Sequence, residues 1–249
     1  MPGAGLDPST MKAALKSLTR AALRAVGQTT VSIQQTYEAS RTIALKRLGI
    51  DLVIDVGANN GQYAEALRAS GYEGHILSLE PLPDAYRILA DSRRGDPAWQ
   101  GFQAAAGPAP GTAIINISAD TVCSSLLQPL ERLTQVMPSA QTIASANVDV
   151  VRIDDLDLPT HKRAALKLDV QGFEKQAMLG AVRTLRTASL LEIELAIDVG
   201  YEGAYTLVEA LPDISALGFE IISIGRGYAD PATGRLIDAD ILFERCRAA

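Results

Sequence analysis

The chain has 249 residues, is 47% hydrophobic with 5% aromatic residues, and carries a net charge of −6. That composition supplies the core of one α/β domain with additions and disfavours a nucleic-acid partner, because binding phosphates needs a basic face. Its two cysteines, Cys123 and Cys246, stand too far apart for a metal or redox motif, and no apolar run reaches transmembrane length, so a reducing cytoplasm is the expected setting.

Residues 1–48 read as an N-terminal helical extension ahead of a domain over 49–249. Leu15, Leu18, Ala22 and Val26 recur at near-helical spacing, and Lys12, Lys16, Arg20 and Arg24 make a basic stripe with no acid between Met11 and Val26. A solvated face accounts for the stripe; the functional alternative is peripheral contact of residues 11–26 with a membrane surface or an acidic partner. A second helix, about Ser32 to Leu48, should stop at Gly49. The two helices are expected to cap a sheet or shape an acceptor site.

A strand over 50–55 runs into Asp55-Val56-Gly57-Ala58-Asn59-Asn60-Gly61-Gln62-Tyr63, a D-x-G-x-x-x-G turn before a helix over 60–70. This is the loop of proteins that bind S-adenosylmethionine (SAM): a turn bare of side chains admits the ligand, and the helix start offers N–H groups to its carboxylate. Asp55 is expected to accept from the ligand's ammonium group. A dinucleotide would call for G-x-G-x-x-G, and Ala58-Asn59 replaces its close-spaced second glycine. The next strand, 75–80, ends on Glu80-Pro81, where a ribose diol is held in nucleotide-type folds; a helix-start role for Glu80 is compatible with that. A third strand over 102–106 brings Ala105 to the wall of an adenine pocket.

After a helix over 83–94 and that third strand, an alternating segment, Thr112 to Ser118, is followed by a polar, irregular stretch over 119–147, the length of a lid or binding loop. Val148 to Ile153 is a candidate partner strand for 112–118. The alternation resumes with strand 165–170, helix 173–186, strand 189–195, helix 204–217 and strand 219–224, then a hairpin through Asp230-Pro231-Ala232-Thr233-Gly234 into Asp240-Ile241-Leu242-Phe243-Glu244. Two closing strands without a helix between them imply an antiparallel edge. The predicted fold is the class I methyltransferase, Rossmann-like, seven-stranded α/β sheet with an antiparallel edge strand, plus N-terminal helices.

The chain resembles the FkbM family of SAM-dependent methyltransferases. The resemblance is carried by residues 55–63, by Glu80-Pro81, by Ser124-Ser125-Leu126, by Lys167-Leu168-Asp169-Val170-Gln171-Gly172-Phe173-Glu174, by Tyr201-Glu202-Gly203 and by Gly227-Tyr228-Ala229-Asp230-Pro231. It covers about residues 50–245. It implies SAM as the cofactor, held by Asp55, Gly57, Ala58, Asn59, Gly61, Tyr63, Glu80, Pro81 and Ala105. It also implies methyl transfer to a hydroxyl, often on a sugar of a glycolipid, polysaccharide or glycosylated natural product. A macrolide or polyketide hydroxyl is the alternative acceptor, and a SAM-binding module without turnover the alternative class.

An alcohol is a poor nucleophile, so a base near the methyl helps. Asp169, at the carboxyl end of the fourth strand, is the expected base, with Lys167 two residues back to tune it. Glu192 and Glu194 lie in the fifth strand, where acids need partners; Glu194 is expected to hold an acceptor hydroxyl or to join Asp169. A divalent cation there is conceivable, but the acids are too sparse to assign one. Glu174 reads as a helix-start acid, and His75 and His161 as structural or exposed. Ser124, Ser125, Tyr201 and Tyr228 are candidates to contact a sugar. A homo-oligomer is expected.

Overall fold

A computed structural model of the chain describes residues 36–246, together with positions 12, 17–19, 23 and 25. Of the basic stripe only Lys12, helical and exposed, is among them; Lys16, Arg20 and Arg24, and residues 32–35 of the second expected helix, lie outside the described residues. Helix α1, Tyr37–Leu48, begins on Thr36, whose hydroxyl accepts from Ala39 N at 3.2 Å, and stops at Gly49 in the left-handed conformation, φ 63°.

Then follow β1 (Leu52–Val56), α2 (Gln62–Ala69), β2 (His75–Leu79), α3 (Pro83–Ser92), β3 (Trp99–Phe102), β4 (Ala105–Ala106), β5 (Gly111–Ser118), α4 (Glu131–Val136), β6 (Thr142–Val151) and β7 (Ala164–Leu168). The chain closes with α5 (Glu174–Leu179), α6 (Val182–Thr187), β8 (Leu190–Ala196), α7 (Leu207–Ala216), β9 (Phe219–Arg226) and β10 (Asp238–Arg245). Seven strands form one sheet in the order β3-β2-β1-β7-β8-β10-β9, with β10 inserted antiparallel between β8 and β9. This is the class I methyltransferase sheet with its antiparallel edge pair. Its two faces bury separate cores. Val53, Ile76, Ala165, Leu190 and Leu242 meet Ala44, Leu45 and Leu48 of α1 and Ala64 and Leu67 of α2. On the other face Leu52, Ile54, Leu166, Leu191 and Ile193 pack with Ala177, Leu185 and Ile214 of α5, α6 and α7. Helix α1 is thus seated in the same core as the strands it precedes.

Three expected elements are rearranged. The strand expected over 102–106 is two strands: Phe102 pairs with Leu79 in the main sheet, whereas Ala105 pairs with Val150 in a small sheet of order β4-β6-β5. The stretch 119–147 is not irregular throughout, since it contains α4 and the start of β6, which pairs antiparallel with β5 from Thr142 onward. The helix expected over 173–186 breaks at Gly180-Ala181. A Cβ at Gly180 would fall 2.0 Å from the carbonyl oxygen of Gly107, so the backbone passes there too closely for a side chain. The second piece, α6, starts on a borrowed cap: the Asp154 carboxylate accepts from Arg183 N at 2.8 Å and Thr184 N at 2.9 Å.

Candidate active site

The face of the sheet under α1 and α2 is apolar until one step from the carboxyl ends of β1, β2 and β7, and until the third residue of β8. Two residues beyond Val53, Ile76, Ala165 and Leu190 stand Asp55, Ser78, Lys167 and Glu192, which point to the same side by the two-residue period of a strand. Asp55 is in register with Ser78 and with Lys167, and Lys167 with Glu192, so the four form one polar row across the central strands. Lys167 Nζ lies 3.4 Å from Asp55 and 3.2 Å from Asp169. Burial alone would lower the Lys167 ammonium, but the carboxylates of Asp169 and Asp55 outweigh it and hold the group above the ordinary lysine value. For Asp55, burial pushes the carboxyl up against the pull of Lys167. Glu192 accepts from Arg41 Nη1 of α1 at 3.1 Å and from the Tyr63 hydroxyl at 2.6 Å. The Tyr63 ring carries two cations, Arg41 at 4.7 Å and Lys167 at 5.3 Å from its centroid.

Above this row the loops are tied together by backbone groups. Gly57 and Ala58 donate to the Leu79 carbonyl, each at 3.0 Å. Gly57 sits at φ 80°, and a Cβ there would fall 1.8 Å from the Asp169 carbonyl oxygen. The bare turn therefore serves contact between two loops of the protein, beyond the ligand approach expected of it. Glu80 accepts from Asn59 N and Leu82 N, both at 2.8 Å. Burial nonetheless raises its carboxyl to about 7, with those N–H groups pulling the other way.

These loops enclose a cavity of about 420 Å³. Gly57, Ala58, Asn59, Tyr63, Glu80, Pro81, Ala105, Lys167 and Asp169 all line it. Asp55 and Gly61 do not. Asp55 is fully buried beneath the floor and pairs with Lys167; apart from that pair, neither of its oxygens has a hydrogen-bond partner among the described residues. Gly61 faces α3, where a Cβ would meet Leu89 at 2.8 Å. Glu194 lines a separate, smaller cavity with Glu174, Tyr201 and Asp238. Burial first, then Asp169 and Asp238, push its carboxyl well above the usual carboxylate range.

Gln171 joins the two cavities. Its Nε2 donates to Asp169 at 3.0 Å and to Glu194 at 2.6 Å, and its Oε1 accepts from the Tyr201 hydroxyl at 3.1 Å. Its backbone is left-handed at φ 54°, a conformation a side chain of this kind rarely adopts. Ser125 donates to the Gln171 carbonyl at 2.7 Å, Ser124 Oγ accepts from Ser118 N, and the Tyr201 hydroxyl also donates to Cys123 O at 2.7 Å. These hydroxyls brace the loop, and the Tyr228 hydroxyl donates to Val136 O. Glu174, expected as a plain helix-start acid, is buried and accepts from Val170 N and Gly172 N, each at 3.0 Å, so it folds the turn after Asp169. His75 is exposed and His161 half-buried, both away from the cavity lining.

Sequence reasoning missed Tyr37, Glu38 and Arg41 of α1 and Asp240 of β10, all of which line the cavity. Asp240 carries the same signal that flagged Glu192, an acid inside an expected strand. Helix α1 carried none, because it lacks a clean apolar stripe.

The wall presents five carboxylates, Glu38, Glu80, Asp169, Glu192 and Asp240, against two cations, Arg41 and Lys167. A ligand with a sulfonium and an ammonium fits that balance, and the pyrophosphate of a dinucleotide does not. Among the described residues no group of His, Cys, Asp and Glu is arranged to hold a metal ion. The sequence model described as the methyltransferase FkbM domain matches residues 55–221. The chain belongs to the FkbM methyltransferase family. It is thus a SAM-dependent methyltransferase, and the matched span covers the first glycine loop, Glu80 and the Lys167–Glu174 block.

No curated protein matches this FkbM chain. Among solved structures it is similar to an rRNA methylase from Streptococcus thermophilus, with 11% identity, 87% of this chain and 100% of that one covered, and a TM-score of 0.47. TehB from Haemophilus influenzae shows 11% identity over 82% of this chain and 61% of its own, with a TM-score of 0.45. The 1,6-didemethyltoxoflavin-N1-methyltransferase of Burkholderia thailandensis, solved with S-adenosylhomocysteine, shows 13% identity, 99% and 94% coverage and a TM-score of 0.43.

Proposed function

We propose that this FkbM methyltransferase transfers its methyl group to a hydroxyl of a sugar, within a glycolipid, a polysaccharide or a glycosylated natural product. The observation that carries the reading is Asp169, a carboxylate whose side chain is 32% exposed and which stands in the middle of the cavity wall, braced by Lys167 and Gln171. When bound, SAM supplies a methyl group already activated on a sulfonium. The loop at Gly57–Asn59 and the Glu80 carboxylate would hold it, Glu80 by accepting from ribose hydroxyls, with Leu82 and Ala104–Ala106 beside the adenine. Asp55 acts through Lys167, fixing the ammonium that orients Asp169. Asp169 then accepts the proton of the attacking hydroxyl, and the Lys167 charge opposes its drift toward the other carboxylates.

Asp169→Asn should keep S-adenosylhomocysteine affinity by calorimetry and lose about 100-fold or more in turnover. Turnover at the parental rate removes Asp169 from the role of base. A panel of glycosides, macrolactones and catechols with labelled SAM decides the acceptor. Label on macrolactones or phenols alone overturns the sugar, and no label on any hydroxyl, with SAM still bound, favours a binding module. Peripheral membrane contact through residues 11–26 and self-association belong to the same reading. Reversing the charges of Lys12, Lys16, Arg20 and Arg24 should reduce sedimentation with anionic vesicles, and equal sedimentation of parent and variant leaves the solvated face.

A further inference from the structure

The sheet order divides the cavity into two ends. Gly57 follows β1 and Glu80 follows β2, on one side of β7; Glu192 lies on β8 and Asp240 on β10, on the other side. Asp169, just past β7, stands between them. With the cofactor on the β1–β2 side, the end walled by β8, β10 and α1 is left for the acceptor. Two groups there are uncommitted. Among the described residues nothing hydrogen-bonds to the Asp240 carboxylate. The Tyr37 hydroxyl is buried, near enough to Glu192 and Asp240 to feel both charges and leaning toward Glu192, yet among the described residues it makes no hydrogen bond of normal geometry. Gly225, in register with Asp240, lets the Tyr37 ring sit close, since a Cβ there would fall 2.9 Å from Tyr37 Cγ.

Charge at this end is one-sided. Arg41 is matched by Glu192 at 3.1 Å, and among the described residues no ion pair reaches Glu38 or Asp240, the more distant Lys167 being the cation that acts on Asp240. Burial, then Asp169 and Glu192, raise the Asp240 carboxyl to about 6, with Lys167 pulling the other way. An anionic acceptor would lose its hydration and meet like charge, whereas hydroxyls or an ammonium would meet free acceptors.

We infer that α1 and β10 form the acceptor subsite, in which Tyr37 and Asp240 hold hydroxyls of an uncharged or amino-bearing sugar and exclude sugars that carry a carboxylate. The inference rests on the sugar-hydroxyl reading above.

The test uses methyl glucoside, methyl glucosaminide and methyl glucuronide with labelled SAM and the full chain. The glucoside and glucosaminide should be labelled, and the glucuronide at least about tenfold more slowly. Asp240→Asn and Tyr37→Phe should each raise KM for the glucoside about fivefold or more, with S-adenosylhomocysteine affinity held within about twofold by calorimetry. Equal use of glucoside and glucuronide overturns the inference, as does a loss of cofactor affinity in step with KM. If only macrolactones are labelled, the sugar reading fails separately, and an unchanged macrolactone KM in both variants overturns the subsite. If nothing is labelled, saturation-transfer NMR on the S-adenosylhomocysteine-loaded protein reads binding of the three glycosides, and equal binding or none overturns it.

Discussion

Gln171 makes more of the site's connections than any residue the spacing of acids would pick out. It donates to Asp169 and to Glu194, accepts from Tyr201, and does so from a left-handed backbone. Strain of that kind persists where the surroundings over-determine it. Gln171→Leu removes the shared donor and leaves Glu194 half-buried without its partner. We expect a stability loss of about 2 kcal/mol in urea unfolding and a drop in turnover of about tenfold or more, with S-adenosylhomocysteine affinity unchanged. Parental turnover in that variant would mean that Gln171 only braces the loop and does not position Asp169.

Helix α1 shows how an element outside the diagnostic motifs becomes part of the site. Its apolar residues Ala44, Leu45 and Leu48 seat it on the sheet, and one turn earlier Arg41 reaches Glu192 in a pair whose side chains are 10% and 7% exposed. A buried pair is costly to break from one side and far cheaper to replace as a whole. Arg41→Met should therefore lose about 3 kcal/mol, because Glu192 keeps only the Tyr63 hydroxyl. The double variant Arg41→Met, Glu192→Leu should recover at least about half of that loss. Additive losses in urea titrations would show that the two residues do not act as a pair.

At the scale of the molecule, buried carboxyls set the pH response. Glu80 and Glu174 are both raised from 4.5 to about 7, because burial outweighs the backbone N–H groups they accept from. Between those values the folded chain binds more protons than the unfolded one. Their contribution to stability is thus present below about 4.5 and lost as pH rises through about 7. Groups lowered in the fold, such as Asp154, titrate below 3.8 and leave this window untouched. The apoprotein should melt at a lower temperature at pH 8 than at pH 5.5, and Glu174→Gln should flatten the slope. A parental profile that is already flat would show that these acids remain ionised in the fold. S-adenosylhomocysteine should bind more tightly at pH 8 than at pH 6 if Glu80 accepts from the ribose as a carboxylate, and Glu80→Gln should remove that dependence.

By itself the sequence determined the alternation of strands and helices in both halves of the main sheet, the strand-end acids, and the glycine turn after β1. Each is a local matter: a two-residue or helical period, a backbone conformation that a side chain would forbid, an acid at a fixed offset from a strand. It also determined the family, through residues 55–63 and 167–174, which are contiguous and so visible without a fold. What tertiary structure decided is which acids line the cavity. Register sets Asp55, beneath the cavity floor, 3.4 Å from Lys167, which lines the cavity. Glu194 lines a second cavity, and Gln171, which lines both, donates to it. Tyr37, Arg41 and Asp240 come from the first and last elements described and meet only because β10 inserts between β8 and β9. The break at Gly180 depends on a carbonyl at Gly107, and such distant steric contacts leave no period in the chain that a local reading can detect.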